Sequence, residues 1–115
     1  MGDASTSIED LKQSVARFVR ERDWEQFHSP KNIAISIAIE AAELMELYQW
    51  GPENESLELS EKAEVRTKVD EELADVLIYC LSLANRIGID VSQIVQRKLA
   101  RNAVKYPVEQ FRGRY

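Results

Sequence analysis

Apolar residues recur along this chain at helical spacing, and no segment alternates in the way that is typical of a β-strand. The first helix is expected from about Ile8 to Arg22, because its apolar side chains fall three or four residues apart. Thr6 and Glu9 have the spacing of a capping box in front of it. A connector rich in aromatic residues, 23–28, follows.

The second helix is expected to open at Ser29 and Pro30, because serine is a favoured N-cap and proline suits the first helical position. It runs to about Trp50, where Gly51 and the proline after it stop the helix. Residues 51–59 are then predicted to form a polar, acidic loop. Apolar residues cover much of the helix circumference, which indicates a central position or contact with a second chain.

The third helix is expected from near Ser60 to Arg86 or Ile87, with Gly88 as its C-terminal stop. Asp90 then caps a fourth helix that ends near Lys105.

Four helices with short links predict an all-α fold, an antiparallel four-helix bundle, in a single domain that covers residues 1–115. The broad apolar coverage of the second helix predicts a homo-oligomer, either a homodimer or a homotetramer. Phe27 and Cys80 are expected in the core.

The composition is that of a globular protein, with 44% hydrophobic and 30% charged residues. Its net charge of −5 argues against binding to a nucleic acid polymer or to an anionic membrane. No apolar run is long enough to cross a membrane, and the N-terminus lacks the features of a secretory signal. With a single cysteine no intrachain disulfide can form, so we expect a cytoplasmic protein.

Two pairs of carboxylates with the same spacing interrupt the apolar stretches of the second and third helices. They are Glu40 with Glu43 and Glu72 with Asp75, and residues three apart on a helix share a face. Antiparallel packing of the two helices can bring the pairs together. Clustered carboxylates need a cationic partner, and oxygen ligands alone favour Mg²⁺, with Mn²⁺ as a possible substitute.

Two other interpretations of these acids are open. Any single acid is more commonly a solvated surface charge, but no Lys or Arg other than Lys62 lies between residues 33 and 65 to pair with them. A di-iron carboxylate bundle would add histidines on the same helices. The one histidine, His28, lies outside them, which argues against iron.

The two acidic motifs and four further segments resemble those of the MazG-like, all-α nucleoside triphosphate pyrophosphohydrolases, in particular the dCTP pyrophosphatase branch. The resemblance covers about Phe18 to Pro107. The further segments are Phe27-His28-Ser29-Pro30-Lys31-Asn32, Glu46-Leu47-Tyr48-Gln49-Trp50, Asp75-Val76-Leu77-Ile78-Tyr79 and Lys98-x-x-x-Asn102-x-x-x-Tyr106-Pro107. One departure is Ile39, which stands where many members of the family have a second glutamate.

The resemblance implies Mg²⁺-dependent hydrolysis of a nucleoside triphosphate, dCTP or a modified nucleotide, to the monophosphate and pyrophosphate. Glu40, Glu43, Glu72 and Asp75 would bind the metal, and Glu43 is the candidate for the catalytic base. The expected substrate-binding residues are Trp24, His28, Trp50, Tyr79, Lys98, Asn102 and Tyr106.

Two rival functions remain open. Within the same enzyme class, the substrate could be dUTP or a broad range of nucleoside triphosphates. In a different class, the chain would be a helical dimerisation module whose acids are solvated and bind no metal.

Overall fold

Six α-helices and two short 3₁₀ helices make up the computed structural model, which describes residues 1–114. The α-helices are α1 (Ile8–Glu21), α2 (Pro30–Glu46), α3 (Ser56–Glu61), α4 (Ala63–Ile87), α5 (Val91–Lys105) and α6 (Val108–Phe111), and the 3₁₀ helices are Glu25–Phe27 and Glu53–Glu55. No strand occurs among these residues, so the predicted all-α class is confirmed.

The N-terminal caps fix where the first two long helices begin. Ser7 caps α1, because its hydroxyl accepts a hydrogen bond from the Asp10 amide at 3.0 Å while its own amide donates to the Asp10 carboxylate. The predicted capping box of Thr6 and Glu9 was wrong, because the observed box lies one residue later, at Ser7 and Asp10. Ser29 caps α2 as predicted, accepting a hydrogen bond from the Asn32 amide at 3.1 Å.

The later boundaries depart from the prediction in two places. The helix α2 ends at Glu46, and residues 47–50 continue as turns instead of helix. The acidic loop contains the unpredicted helix α3, and extended backbone at Lys62 (ψ 129°) separates it from α4. Gly88 ends α4 as predicted, with a left-handed φ of 71° that favours glycine.

The central element is α4, which packs against α2 along much of its length and against α1 on another side. In contrast, α5 makes only slight contact with the other helices of the chain. The radius of gyration, 17.1 Å, exceeds the ~13 Å expected of a compact chain of this length. The predicted four-helix bundle remains a prediction, because α5 does not pack as its fourth member within one chain.

The buried core of the described residues is small, and it consists of Val19, Ile33, Ala84 and the polar Ser82. Phe27 is 60% exposed and Cys80 is also exposed, so the expectation that both lie in the core was wrong. Many other large apolar side chains are exposed on α2, α4 and α5. None of the helices that the structure describes is both long enough and apolar enough to cross a membrane.

Candidate metal and nucleotide site

The packing of α2 on α4 brings three carboxylates together. Glu40 and Glu43 lie one turn apart on α2, and Glu72 lies on α4. One carboxylate oxygen from each of the three lies within 4.8 Å of the others. The sequence predicted this convergence because the apolar residues around each acid drive the two helices together on the faces that carry the acids.

Two oxygens of this acidic cluster, which we define as Glu40, Glu43 and Glu72, are buried without a partner. The Oε2 atoms of Glu40 and Glu72 have no hydrogen-bond donor among the described residues. Glu43, the third member, is exposed. Unsatisfied buried acceptors are uncommon in folded proteins, and a carboxylate oxygen is especially costly to leave unpaired. The cluster therefore has two acceptor atoms ready for a cation.

The raised pKa values of Glu40 and Glu72 also show that no positive charge balances these carboxyls. Burial, a hydrogen bond with the adjacent Glu43 carboxyl, and the charges of Glu43, Asp75 and Glu72 together raise the pKa of Glu40 from 4.5 to about 7. Burial also raises the pKa of Glu72, again with Glu43 as the second cause. None of the ion pairs in residues 1–114 involves these acids.

The donor set fits a hard divalent cation. All the ligand atoms are carboxylate oxygens, which suit Mg²⁺ or Mn²⁺ better than zinc or iron. The positive charge of such an ion would offset the burial and the mutual repulsion that raise the pKa of Glu40 and Glu72. The arrangement can therefore hold an ion that in turn attracts an anionic ligand.

The fourth predicted ligand, Asp75, lies beside the cluster. It lies one turn after Glu72 on α4, and its charge contributes to the raised pKa of both Glu40 and Glu72. It is not part of the group of oxygens that lie within 4.8 Å of one another. Its role as a ligand stays a prediction.

The predicted aromatic substrate contacts lie in different surroundings. His28 faces Tyr79, one turn after Asp75 on α4, with ring centroids 6.4 Å apart. The Trp24 ring packs edge-on against the Phe18 ring, with the ring centroids 5.8 Å apart. Trp50 is 89% exposed and is free to contact a ligand or a second chain.

The three predicted substrate-binding residues of the fourth helix lie on α5 or directly after it. Lys98 and Asn102 lie on α5, which makes only slight contact with α2 and α4. Tyr106 follows the end of α5 and packs its ring against Phe111 at 5.1 Å. Their role in binding the substrate stays a prediction.

A cavity that the sequence did not reveal lies between α1, the 3₁₀ helix Glu25–Phe27 and the C-terminal half of α4. Its volume is about 210 Å³. Its wall includes apolar residues of α1 and the side chains of Glu25, His28, Ser82, Asn85 and Arg86.

One signal could have revealed part of this cavity. Ser82 and Arg86 follow Asp75 by seven and eleven residues, so the helical repeat places them on the same face of α4 as the metal motif. The contribution of α1 and of the 3₁₀ helix could not be foreseen from periodicity.

Comparison with known proteins identifies the family. The MazG-like family model matches residues 35–114, which include both acidic pairs. The chain belongs to the MazG-like family. The acidic motifs lie inside the matched region, and the resemblance seen in the sequence is therefore confirmed.

Individual relatives agree with this placement. The chain is 41% identical over 107 residues to dCTP pyrophosphatase 1 of Bos taurus and 40% identical over 101 residues to that of Homo sapiens. These alignments cover 93% and 88% of this chain but only 63% and 59% of the relatives, so the chain spans less than two thirds of their length.

A solved structure matches the fold. It is that of a pyrophosphatase from Archaeoglobus fulgidus DSM 4304, with a TM-score of 0.81 and 42% sequence identity. The match covers 87% of this chain and 92% of that chain.

Proposed function

We propose that this chain is a Mg²⁺-dependent nucleoside triphosphate pyrophosphohydrolase, which converts a (deoxy)nucleoside triphosphate and water into the monophosphate and pyrophosphate. The observation that carries the proposal is the convergence of three carboxylates with two unpartnered buried oxygens. The names of the relatives, dCTP pyrophosphatase 1 and a pyrophosphatase, support the reaction class and favour dCTP or a modified deoxynucleotide as substrate.

Glu40, Glu43 and Glu72 would hold the ion, with Asp75 completing the set from α4. When bound, Mg²⁺ supplies charge neutralisation for phosphate oxygens and lowers the pKa of nearby water. The carboxylates would hold that ion at a defined place beside the triphosphate, because α2 packs closely against α4. Substitution of any one of them removes a ligand and leaves the helices in place.

Glu43 is the proposed catalytic base. It is the exposed member of the acidic cluster, and so it is the carboxylate that a solvent water can reach. The water oxygen forms a bond to the α-phosphorus, the bond from that phosphorus to the bridging oxygen breaks, and the water proton passes to Glu43. Pyrophosphate leaves with the electron pair of the broken bond.

The nucleoside would lie along α4 toward the cavity. Ser82 follows Asp75 by seven residues, which corresponds to ~10 Å along a helix axis and is a suitable distance from a phosphate to a base. Tyr79 lies on α4 between Asp75 and Ser82, and His28 faces its ring. At about 210 Å³ the cavity is smaller than sites that enclose whole ligands, which measure roughly 300–1,000 Å³, so it would take the base alone.

Self-association completes the proposed enzyme. The outer face of α2 exposes Ile35, Ile39 and Met45, and α5 exposes a further apolar stripe. Contact with a second copy would cover these faces, supply the fourth helix of the bundle, and bring the basic face of α5 to the phosphates. Lys98, Asn102 and Tyr106 would then bind the triphosphate, and Trp24 and Trp50 would flank the base.

We propose a single domain over residues 1–115, a cytoplasmic role in clearing unwanted nucleotides, and no nucleic acid or membrane partner. The rival substrates, dUTP or a broad range of triphosphates, differ only in the base. The rival without catalysis, a helical dimerisation module, predicts neither metal binding nor turnover.

The test is a panel of deoxy- and ribonucleoside triphosphates incubated with Mg²⁺ in ¹⁸O-labelled water. We expect pyrophosphate as a product and the label in the monophosphate, because water attacks the α-phosphorus. Glu43→Gln should abolish turnover, and Glu46→Gln on the same helix is the matched control. Release of phosphate with a nucleoside diphosphate, or no turnover by the unaltered chain, contradicts the proposal.

A further inference from the structure

We infer that Asn85 selects the base, by accepting a hydrogen bond from an exocyclic amino group that cytosine has and that uracil and thymine lack. The inference rests on the proposed function and on the cavity between α1 and α4. Asn85 lies on the last turns of α4 and lines this cavity.

The orientation of the Asn85 side chain is fixed by one contact. Its Nδ2 atom donates a hydrogen bond to the backbone carbonyl of Lys12, at 2.9 Å. If the amide were reversed, Oδ1 would face that carbonyl oxygen, and two acceptors would oppose each other. The structure therefore holds the amide with its nitrogen toward α1, and Oδ1 accepts no hydrogen bond from residues 1–114.

The partner of Asn85 is itself held firmly. The Lys12 ammonium donates a hydrogen bond to the carbonyl of Ile89 at 2.8 Å, and the Lys12 side chain is only 16% exposed. This second contact ties α1 to the end of α4, so the Lys12 carbonyl cannot easily move away from Asn85. Asn85 itself is exposed to solvent, so its hydrogen bond to this held carbonyl is what sets the orientation of the amide.

The rest of the cavity suits a small aromatic ring. Val15 and Val19 provide an apolar wall from α1, and the buried Ser82 lies one turn before Asn85. Glu25 lines the same cavity and can offer a second acceptor, while Arg86 offers a donor. This combination favours a ring that carries both an amino group and a carbonyl at its edge, as cytosine does.

Cytosine fits this pattern and uracil opposes it. Cytosine carries an amino donor at position 4, where uracil and thymine carry a carbonyl acceptor. A glutamate or asparagine oxygen can accept from an amino group but repels a carbonyl. If the Asn85 amide reversed to suit the carbonyl of uracil, it would lose its hydrogen bond to the Lys12 carbonyl.

The experiment compares kcat/KM for dCTP and dUTP in the unaltered chain and in Asn85→Leu, which keeps the side-chain size and loses both polar atoms. We expect the unaltered chain to prefer dCTP and the variant to lose about 5- to 150-fold of that preference. The loss should come from KM for dCTP, with kcat nearly unchanged, because the acidic cluster is intact. Asn54→Leu, in an exposed 3₁₀ helix away from the cavity, is the matched control and should keep the ratio.

Two further measurements complete the experiment. The first does not depend on the folding of a variant, and the second does not depend on turnover. The unaltered chain is tested with the triphosphate of 2-pyrimidinone deoxynucleoside, which lacks the amino group, and should use it at least ~5-fold less efficiently than dCTP. Binding of dCMP and dUMP is measured by calorimetry, which reports base choice without turnover.

The outcomes separate the two claims. If the unaltered chain uses dCTP, dUTP and the pyrimidinone equally, or if Asn85→Leu keeps the preference, the assignment of Asn85 is overturned while the proposed function stands. If no triphosphate releases pyrophosphate, the proposed function fails. The assignment of Asn85 is then decided by calorimetry, where equal binding of dCMP and dUMP overturns it.

Discussion

Replacing Glu40 by Gln should change stability and activity in opposite directions. The substitution keeps the size of the side chain and removes one negative charge from the acidic cluster. The metal-free protein should become more stable, because the repulsion and the desolvation of that charge disappear. Binding of a divalent ion and turnover should be lost, because a ligand oxygen with its charge disappears.

The size of the stability gain follows from the pKa of Glu40. A rise from 4.5 to about 7 in a fully closed site corresponds to about 3 kcal/mol, at 1.36 kcal/mol for each pKa unit. The cluster opens to solvent at Glu43, and solvent screening reduces this to about 1–2 kcal/mol.

The sign of the pH dependence follows from the same shift. Folding raises the pKa of Glu40, so the folded state binds the proton more tightly than the unfolded state. The contribution of this carboxyl to stability is complete below its unfolded pKa of 4.5 and is lost as the pH rises through about 7. The gain from Glu40→Gln should therefore be small near about pH 4 and reach its full size near about pH 8.

The assay is thermal unfolding of metal-free protein in chelator at both pH values and at one protein concentration. At about pH 8, Tm should rise by roughly 4–8 °C in Glu40→Gln and stay unchanged in Glu46→Gln, an exposed acid on the same helix. Added Mg²⁺ should raise Tm in the unaltered chain and not in Glu40→Gln. A variant that is less stable than the unaltered chain at about pH 8 would refute the reasoning.

Three further predictions follow from particular contacts. Calorimetry should show that the affinity for Mn²⁺ falls about tenfold for each pH unit below about 7, because the ion must displace the proton of Glu40; an affinity independent of pH contradicts this. Gly88→Ala should cost about 1–2 kcal/mol in denaturant unfolding, because φ is 71° there, whereas Gly51→Ala should be nearly neutral; equal effects contradict the strain argument. Ile39→Glu, on the exposed apolar face of α2, should lower the mass in sedimentation equilibrium, while Glu64→Gln should not; an unchanged mass contradicts contact through this face.

The long helices and the meeting of the carboxylates could be predicted because both depend on local periodicity. Ser29, Gly88 and Asp90 marked helix ends correctly, since capping is a local property of the backbone. Glu40 and Glu43 shared a face with apolar neighbours, and the packing that buries those neighbours brought Glu72 to the same place.

Long-range packing could not be predicted from the same patterns. The cavity depends on how α1 and the 3₁₀ helix Glu25–Phe27 fold back on α4, and no repeat in the sequence specifies that approach. The exposure of Phe27 and Cys80 was missed because apolar character does not reveal whether a side chain is covered by its own chain. For the same reason, the sequence did not predict how α5 packs against the other helices.

The most direct test of the central claim is a titration of Mn²⁺ into metal-free protein, followed by electron paramagnetic resonance of the free ion. The acidic cluster predicts binding by the unaltered chain and at least a ~10-fold weaker affinity in each of Glu40→Gln, Glu43→Gln and Glu72→Gln. The control Glu46→Gln should bind as the unaltered chain does. If the three cluster variants bind Mn²⁺ as tightly as the control and the unaltered chain, these carboxylates do not form a metal site. No binding by the unaltered chain would show the same.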